Sequence, residues 1–267
     1  MRLFEVKLNF AKINQKNLNI PIAMLHHVTD EPHPTLKKWC ISHNKFLEFL
    51  DSIEQKGYLT TTFQEIVTSQ FKPEELTNRI IITFDDCAAE LFEFAIPELV
   101  KRKMKAVFYM PSNQIDGHNI WDIEELGIVS VKLMSAAQLQ KLLALGMEVG
   151  SHGEKHVRLN TVDGETALTD IKNSKTKLEK VLNHAIYSFA YPYGMIPANH
   201  KQMLLKAGYQ FGLAIYSTVQ TKFTLRRFAI NEWDDQNKIQ LKLSRTYRIM
   251  RSLYDPLFIL KNRIFKA

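Results

Sequence analysis

Seven short apolar runs, spaced so that helical patterns fit between them, constrain this chain more than any other feature. They fall at residues 22–25, 80–84, 105–110, 148–151, 187–190, 210–215 and 224–230. Runs this short, rich in Val, Ile, Phe and Tyr, bury as strands. Helical patterns occupy 42–56, 88–103, 135–145, 165–182 and 197–207. Ser42 and Ser135 stand where N-caps belong, and Gly57, Gly146 and Gly208 where helices should end. Strand–helix alternation predicts an α/β fold with a parallel sheet under helices. Seven strands suit a distorted (β/α) barrel one unit short of the eight-stranded type, with an open doubly wound sheet as the competitor. Both place function at the C-terminal ends of the strands.

Composition closes several other routes. With 267 residues, 45% hydrophobic and 24% charged, the chain can bury a large core. It has no run of about 18 apolar residues for a spanning helix. Its first 19 residues lack the apolar stretch of a secretory signal. Two cysteines, Cys40 and Cys87, suit a reducing compartment, and a cytoplasmic protein is expected. Six of the seven net positive charges lie in the last 27 residues, so the body is nearly neutral and nucleic acid is not an expected partner. The division expected is a barrel over 1–240 and a basic amphipathic helical tail over 241–267. That tail reads either as a helix packed on the barrel or as a peripheral contact with an anionic membrane.

Chemistry-bearing residues gather after the strands. Asp85 and Asp86 follow the run Ile80–Ile82; adjacent strand residues face opposite ways, so both reach one site only if the strand stops there. Asp86 reads equally as a helix N-cap. His152 and His156 follow the run 148–151. A spacing of four is weak among nine histidines, but the position strengthens it. One Asp and two His leave places open for water and substrate, the make-up of a catalytic zinc site. Tyr191–Pro192–Tyr193–Gly194 follows the run 187–190 and reads as a tight turn, or as one aiming a backbone N–H at a substrate oxygen.

In order and interval, Thr-Phe-Asp-Asp, Ser-His-x-x-x-His and Phe-Ala-Tyr-Pro-Tyr-Gly resemble the polysaccharide deacetylase (NodB-homology) family, together with 22–28 at the first strand. The resemblance runs from about residue 20 to 235. It implies a distorted (β/α) barrel and a metal-dependent hydrolase that removes N-acetyl groups from amino sugars of a polysaccharide or glycolipid. It casts Asp85 as general base, Asp86, His152 and His156 as ligands of a divalent metal, and Tyr193 as oxyanion donor through its backbone. Pro192 and Tyr191 would border the substrate. The metal expected is zinc, though such a ligand set also accepts cobalt, nickel or manganese. The setting implied is bacterial surface polysaccharide synthesis.

The pattern departs from the family in three places. Ala190 stands where an arginine often orients the base, Cys87 where glycine is usual, and no histidine follows His200 to supply the late Leu-x-His acid. His26 or His27 can take that acid's place, at most one of them facing the site, or Asp85 can return the proton itself. One of Arg226 and Arg227 can salt-bridge into the site and Trp233 can stack on a sugar; a solvated pair and a half-buried Trp are equally good readings. Two other readings stay open: a C–N hydrolase of a small amide, and a silent glycan-binding barrel.

Overall fold

The computed structural model describes residues 18–264 apart from residue 70. Residues 1–17, read above for a leader, and Lys266 of the basic tail lie outside the described residues. The barrel is formed by β1 (Ile22–Leu25), β2 (Arg79–Asp85), β3 (Ala106–Met110), β4 (Glu148–Ser151), β5 (Ser188–Ala190), β6 (Phe211–Ala214), β7 (Leu225–Arg226) and β8 (Phe228–Ala229). Every pairing is parallel, and the order around the sheet is β7-β6-β5-β4-β3-β2-β1-β8. All seven expected strands are present. The seventh is split, giving eight.

The split has a geometric meaning. β7 pairs with β6 at one end of the sheet and β8 pairs with β1 at the other, yet only Arg227 separates them in sequence. The ring therefore closes through the backbone of Arg227, whose N–H still donates to Ala214 O at 3.0 Å.

β2 shows how the strands are sorted. Ile80, Ile82 and Phe84 pack against the covering helices, while Ile81 packs in the barrel interior with Val107, Tyr109 and Leu213. Both faces are buried, so the strand reads as a continuous apolar run. Asp85 has the parity of Ile81 and Thr83 and so faces inward. Beneath the C-terminal rim the interior holds a polar layer: Tyr109 donates to Ser188 Oγ (2.9 Å), which donates to Glu148 Oε1 (3.2 Å). Gly150 leaves room for it, since a Cβ there would fall 2.3 Å from the Tyr109 ring.

The covering helices are α1 (His43–Gln55), α2 (Phe63–Thr68), α3 (Ala95–Lys101), α4 (Ile120–Leu126), α5 (Ala136–Ala144), α6 (Gly164–Leu182), α7 (His200–Ala207), α8 (Gln236–Lys242) and α9 (Arg245–Ile264). Ser42 and Ser135 cap α1 and α5 as expected, each accepting from the third backbone N–H. The expected helix over 88–103 is only partly formed. Its first residues pair instead with the segment before α5, through Ala89 N to Lys132 O and Met134 N to Cys87 O. α3 starts later, at Ala95.

The expected boundary at residue 240 falls inside α8. α9 lies along the barrel, fixed by the tail's one acid. Asp255 is fully buried between Arg226 (3.0 Å) and Arg251 (2.5 Å). Arg251 also reaches the carbonyls of Ile215 and Arg227, Arg248 bonds to Asn19, and Lys242 bonds to Asp234. Arg248 and Arg251 thus hold α9 down, while Lys242 anchors the end of α8. The outward arc is apolar: Ile249, Met250, Leu253, Tyr254, Leu257 and Leu260 are all more than half exposed. Among the described residues no helix is long and apolar enough to cross a membrane.

Candidate active site

The rim at the C-terminal ends of β2, β4 and β5 gathers the four residues singled out by charge and spacing. β2 stops at Asp85, and Asp86 then adopts a left-handed backbone, φ +68°. That turn brings two adjacent carboxylates to one side. Cys87 is also left-handed, φ +59°, a conformation costing a non-glycine residue about 1 kcal/mol. Its thiol is fully buried, and burial pushes it well above its ordinary pKa. It is a packing residue.

Asp86 Oδ1 lies 3.6 Å from His152 Nε2 and 3.4 Å from His156 Nε2. The three ligand atoms fall within 4.8 Å of one another, the one cluster among the described residues able to hold a metal. The His152 Nδ1 position lies 2.8 Å from Ala190 O, which fixes the tautomer so that Nε2 offers its lone pair. Burial is the main cause lowering the His152 pKa to about 4, so it is neutral near pH 7, as a ligand must be. Asp86 Oδ1 is buried without a hydrogen-bond partner, acceptor capacity that a divalent ion would satisfy. Burial opposes ionisation of Asp86, but the two histidines hold its pKa below the carboxylate range. The donor set of one hard oxygen and two imidazoles fits a divalent ion of the zinc type.

The loop between the two histidines is held from behind. Asp170, on the inner face of α6, accepts from the backbone N–H groups of Glu154 (2.9 Å) and Lys155 (3.0 Å). Gly153, at φ +81°, lies where a Cβ would meet Asp170 Oδ1 at 2.8 Å. The sequence reading missed Asp170; an acid among Ala167, Ile171 and Ser174 on a buried helix face was the available signal.

Asp85 Oδ2 lies 3.7 Å from His152 Nε2, nearly as near as Asp86, but both of its oxygens are already engaged. Arg227 grips both its oxygens, Nη1 to Oδ1 at 2.6 Å and Nη2 to Oδ2 at 2.8 Å. Burial raises the Asp85 pKa, and the guanidinium more than reverses this, keeping the carboxylate ionised. The arginine missing at Ala190 is thus supplied from the barrel seam. Arg226, its neighbour, points the other way to Asp255.

The two histidines after β1 separate as strand geometry requires. His26 is partly exposed and lies within electrostatic reach of Asp85 and Asp86, its pKa lowered chiefly by burial. His27 is buried on the other side, 2.8 Å from Glu90 Oε1, and does not line the site. Tyr193 adopts φ +56° in the turn Pro192–Gly194 and sets its ring edge against His156 at 4.7 Å. Pro192 lies beside Gly153. Tyr191 corrects its substrate-binding reading: it is fully buried, its hydroxyl donating to Phe223 O at 2.9 Å, so it supports the turn from below. Trp233 is 63% exposed in the segment after β8, and no ring contact joins it to the cluster among the described residues.

A parallel barrel with an arginine-held carboxylate beside an Asp-His-His cage at its C-terminal rim is the layout of a metal-dependent hydrolase. Residues 72–212 match the polysaccharide deacetylase family model, and the chain belongs to that family. It is 27% identical over 203 residues to the Bacillus subtilis protein YxkH, described as a polysaccharide deacetylase, covering 74% of this chain and 65% of that one. It is 25% identical over 234 residues to the Staphylococcus epidermidis poly-β-1,6-N-acetyl-D-glucosamine N-deacetylase, covering 80% of this chain and 73% of that one. The fold resembles the Streptococcus pyogenes deacetylase PplD, with a TM-score of 0.69 at 20% identity, over 84% of this chain and 98% of that one.

Proposed function

We propose that the protein is a metal-dependent carbohydrate N-deacetylase that hydrolyses the acetamide of an amino sugar within a polysaccharide or glycolipid. The observation carrying this reading is the division of labour between adjacent carboxylates: Asp86 faces two imidazole Nε2 atoms, while Asp85 is held apart by Arg227. Asp86, His152 and His156 would hold the ion, zinc being the first choice. When bound, such an ion supplies Lewis acidity toward an amide carbonyl and makes water acidic enough to lose a proton near neutral pH.

The chain's own residues supply the rest. Asp85, ionised, takes a proton from the attacking water. The Tyr193 backbone, set by its left-handed turn, borders the acyl oxygen, and Pro192 closes the acetyl end. His26, neutral at rest because burial lowers its pKa, relays to the leaving amine the proton that Asp85 took from water as the C–N bond breaks, standing in for the late histidine the sequence lacks. The named substrate of the Staphylococcus epidermidis relative makes β-1,6-linked N-acetylglucosamine oligomers the first to try. Cytoplasmic location with α9 against the inner membrane face is our reading of the exposed apolar arc together with two free cysteines.

Acetate release from these oligomers by zinc-loaded protein tests the proposal. Asp85→Asn should keep its metal and lose at least about 100-fold in rate. No acetate from any N-acetylated sugar, with metal bound, would leave a glycan-binding barrel as the reading.

A further inference from the structure

The two imidazoles of the cage are held by different means. His152 has the usual second partner for a ligating histidine, its contact with Ala190 O. His156 has none: its Nδ1 is buried without a hydrogen bond, and its backbone is left-handed at φ +57°. Rings occupy its flanks instead. The indole of Trp121 stacks on it, centroids 4.2 Å apart and planes 25° from parallel, and the Tyr193 ring meets it edge-on at 4.7 Å.

Trp121 is brought there by an excursion of the chain, residues 111–133, between β3 and α5. Both ends of this excursion are tied to the ligand loops. Ser112 N and Asn113 N donate to the carbonyls of Gly153 and Glu154, between the two histidines, and Met134 N donates to Cys87 O, next to Asp86. Asn119, itself buried, shapes the middle by bonding both ways, to Val131 N at 2.6 Å and Val129 O at 3.1 Å. α4 follows, and its Glu125 forms an ion pair with Arg158, whose guanidinium lies 3.8 Å over the Tyr193 ring.

We propose that Trp121 is the positioning residue for His156, its stacked ring replacing the hydrogen bond this ligand lacks, with the Glu125–Arg158–Tyr193 chain closing the clamp from the far side. This rests on the reading of Asp86, His152 and His156 as a metal site. The clamp fixes the imidazole plane without a polar partner, so the aim of Nε2 depends on the presence of α4.

The test is metal affinity of the full chain, measured with zinc and cobalt against a chelating dye. Trp121→Leu, which keeps apolar bulk but no flat ring, should bind about 10-fold more weakly. Trp121→Phe, which keeps a ring, should stay close to wild type. Cobalt should quench the buried tryptophan emission of wild type but not that of Trp121→Phe. Equal affinity in wild type and Trp121→Leu, or no quenching in cobalt-loaded wild type, overturns the clamp and leaves the metal site standing. No metal in wild type removes the site itself and the clamp with it. Glu125→Gln, at an exposed position, keeps the test decisive if Trp121→Leu does not fold: affinity should fall several-fold, and no change overturns the role of α4.

Discussion

Arg227 and Asp85, 142 residues apart in sequence, form a two-pronged ion pair in which both side chains are almost wholly buried. Neither charge has water to fall back on, so each depends on the other. Arg227→Ala is expected to destabilise the fold by about 3–5 kcal/mol, leaving an unpaired carboxylate inside the barrel. Arg227→Lys keeps the charge but not the planar fork. It should fold and retain metal while losing at least about 10-fold in rate. Thermal melts and acetate release measure both; a Lys variant at wild-type speed would show that the fork does not position the base.

The histidines after β1 should part company on mutation. His26→Ala is expected to reduce kcat by about 100-fold, in the range of a lost general acid. His27→Ala should leave kcat unchanged and lower only the melting temperature, since its bond is to Glu90. Saturation kinetics distinguishes them. Full kcat in His26→Ala returns the proton-donor role to Asp85.

Glu148 makes stability depend on pH. Burial raises its pKa from 4.5 to about 7 despite its bonds to Gln64 N and Ser188. Because the folded value lies above the unfolded one, the contribution is fully present below about pH 4.5 and lost as pH rises through about 7. The total is about 3 kcal/mol. Glu148→Gln should melt several degrees above wild type at pH 8, with little difference at pH 5. A constant gap between the two across this range would exclude Glu148 as the source.

Asp170 supports the ligand loop through two charge-assisted hydrogen bonds. Asp170→Ala leaves two backbone donors unpaired and should cost about 3 kcal/mol. It should also weaken metal binding, although the residue touches no ligand atom. Denaturant unfolding and dye competition read the two effects; loss of stability with unchanged affinity would make Asp170 purely structural.

The apolar arc of α9 should bind anionic vesicles. Wild type is expected to sediment with phosphatidylglycerol-containing vesicles at low salt, and Leu253→Glu/Leu257→Glu to stay in the supernatant. A wild type that stays soluble but dimeric, with a monomeric double variant, would instead make this face a contact between copies.

The parts of the site that follow from local chemistry were legible in the sequence. Buried parallel strands write themselves as continuous apolar runs, and Asp85, Asp86, His152 and His156 each lie at the end of one. Ser42 and Ser135 marked their helix starts because capping is a local matter. What escaped depends on distant chain segments. The Arg226–Arg227 pair gave no sign of which residue turned inward, since a break in the strand between β7 and β8 decides it. Tyr191 shared a motif with Tyr193, but contacts with Phe189, His200 and the Phe223 carbonyl bury it. Trp121 sits in an excursion without periodicity, and its partner is 35 positions onward. The helix expected at 88 gave way because those backbone groups pair with residues 132–134, a competition invisible within the segment itself.

The closure of the barrel through Arg227 couples assembly to charge. As the chain is synthesised, seven strands and all four residues of the carboxylate–imidazole cluster exist before β8 does. Asp85 is at that stage a negative charge facing an unfinished interior. The same residue that carries the chain across the gap delivers the compensating guanidinium, so shutting the ring and neutralising its centre are a single event. An incomplete barrel is penalised twice, by an open edge and by a stranded charge, and partly closed forms have little reason to accumulate.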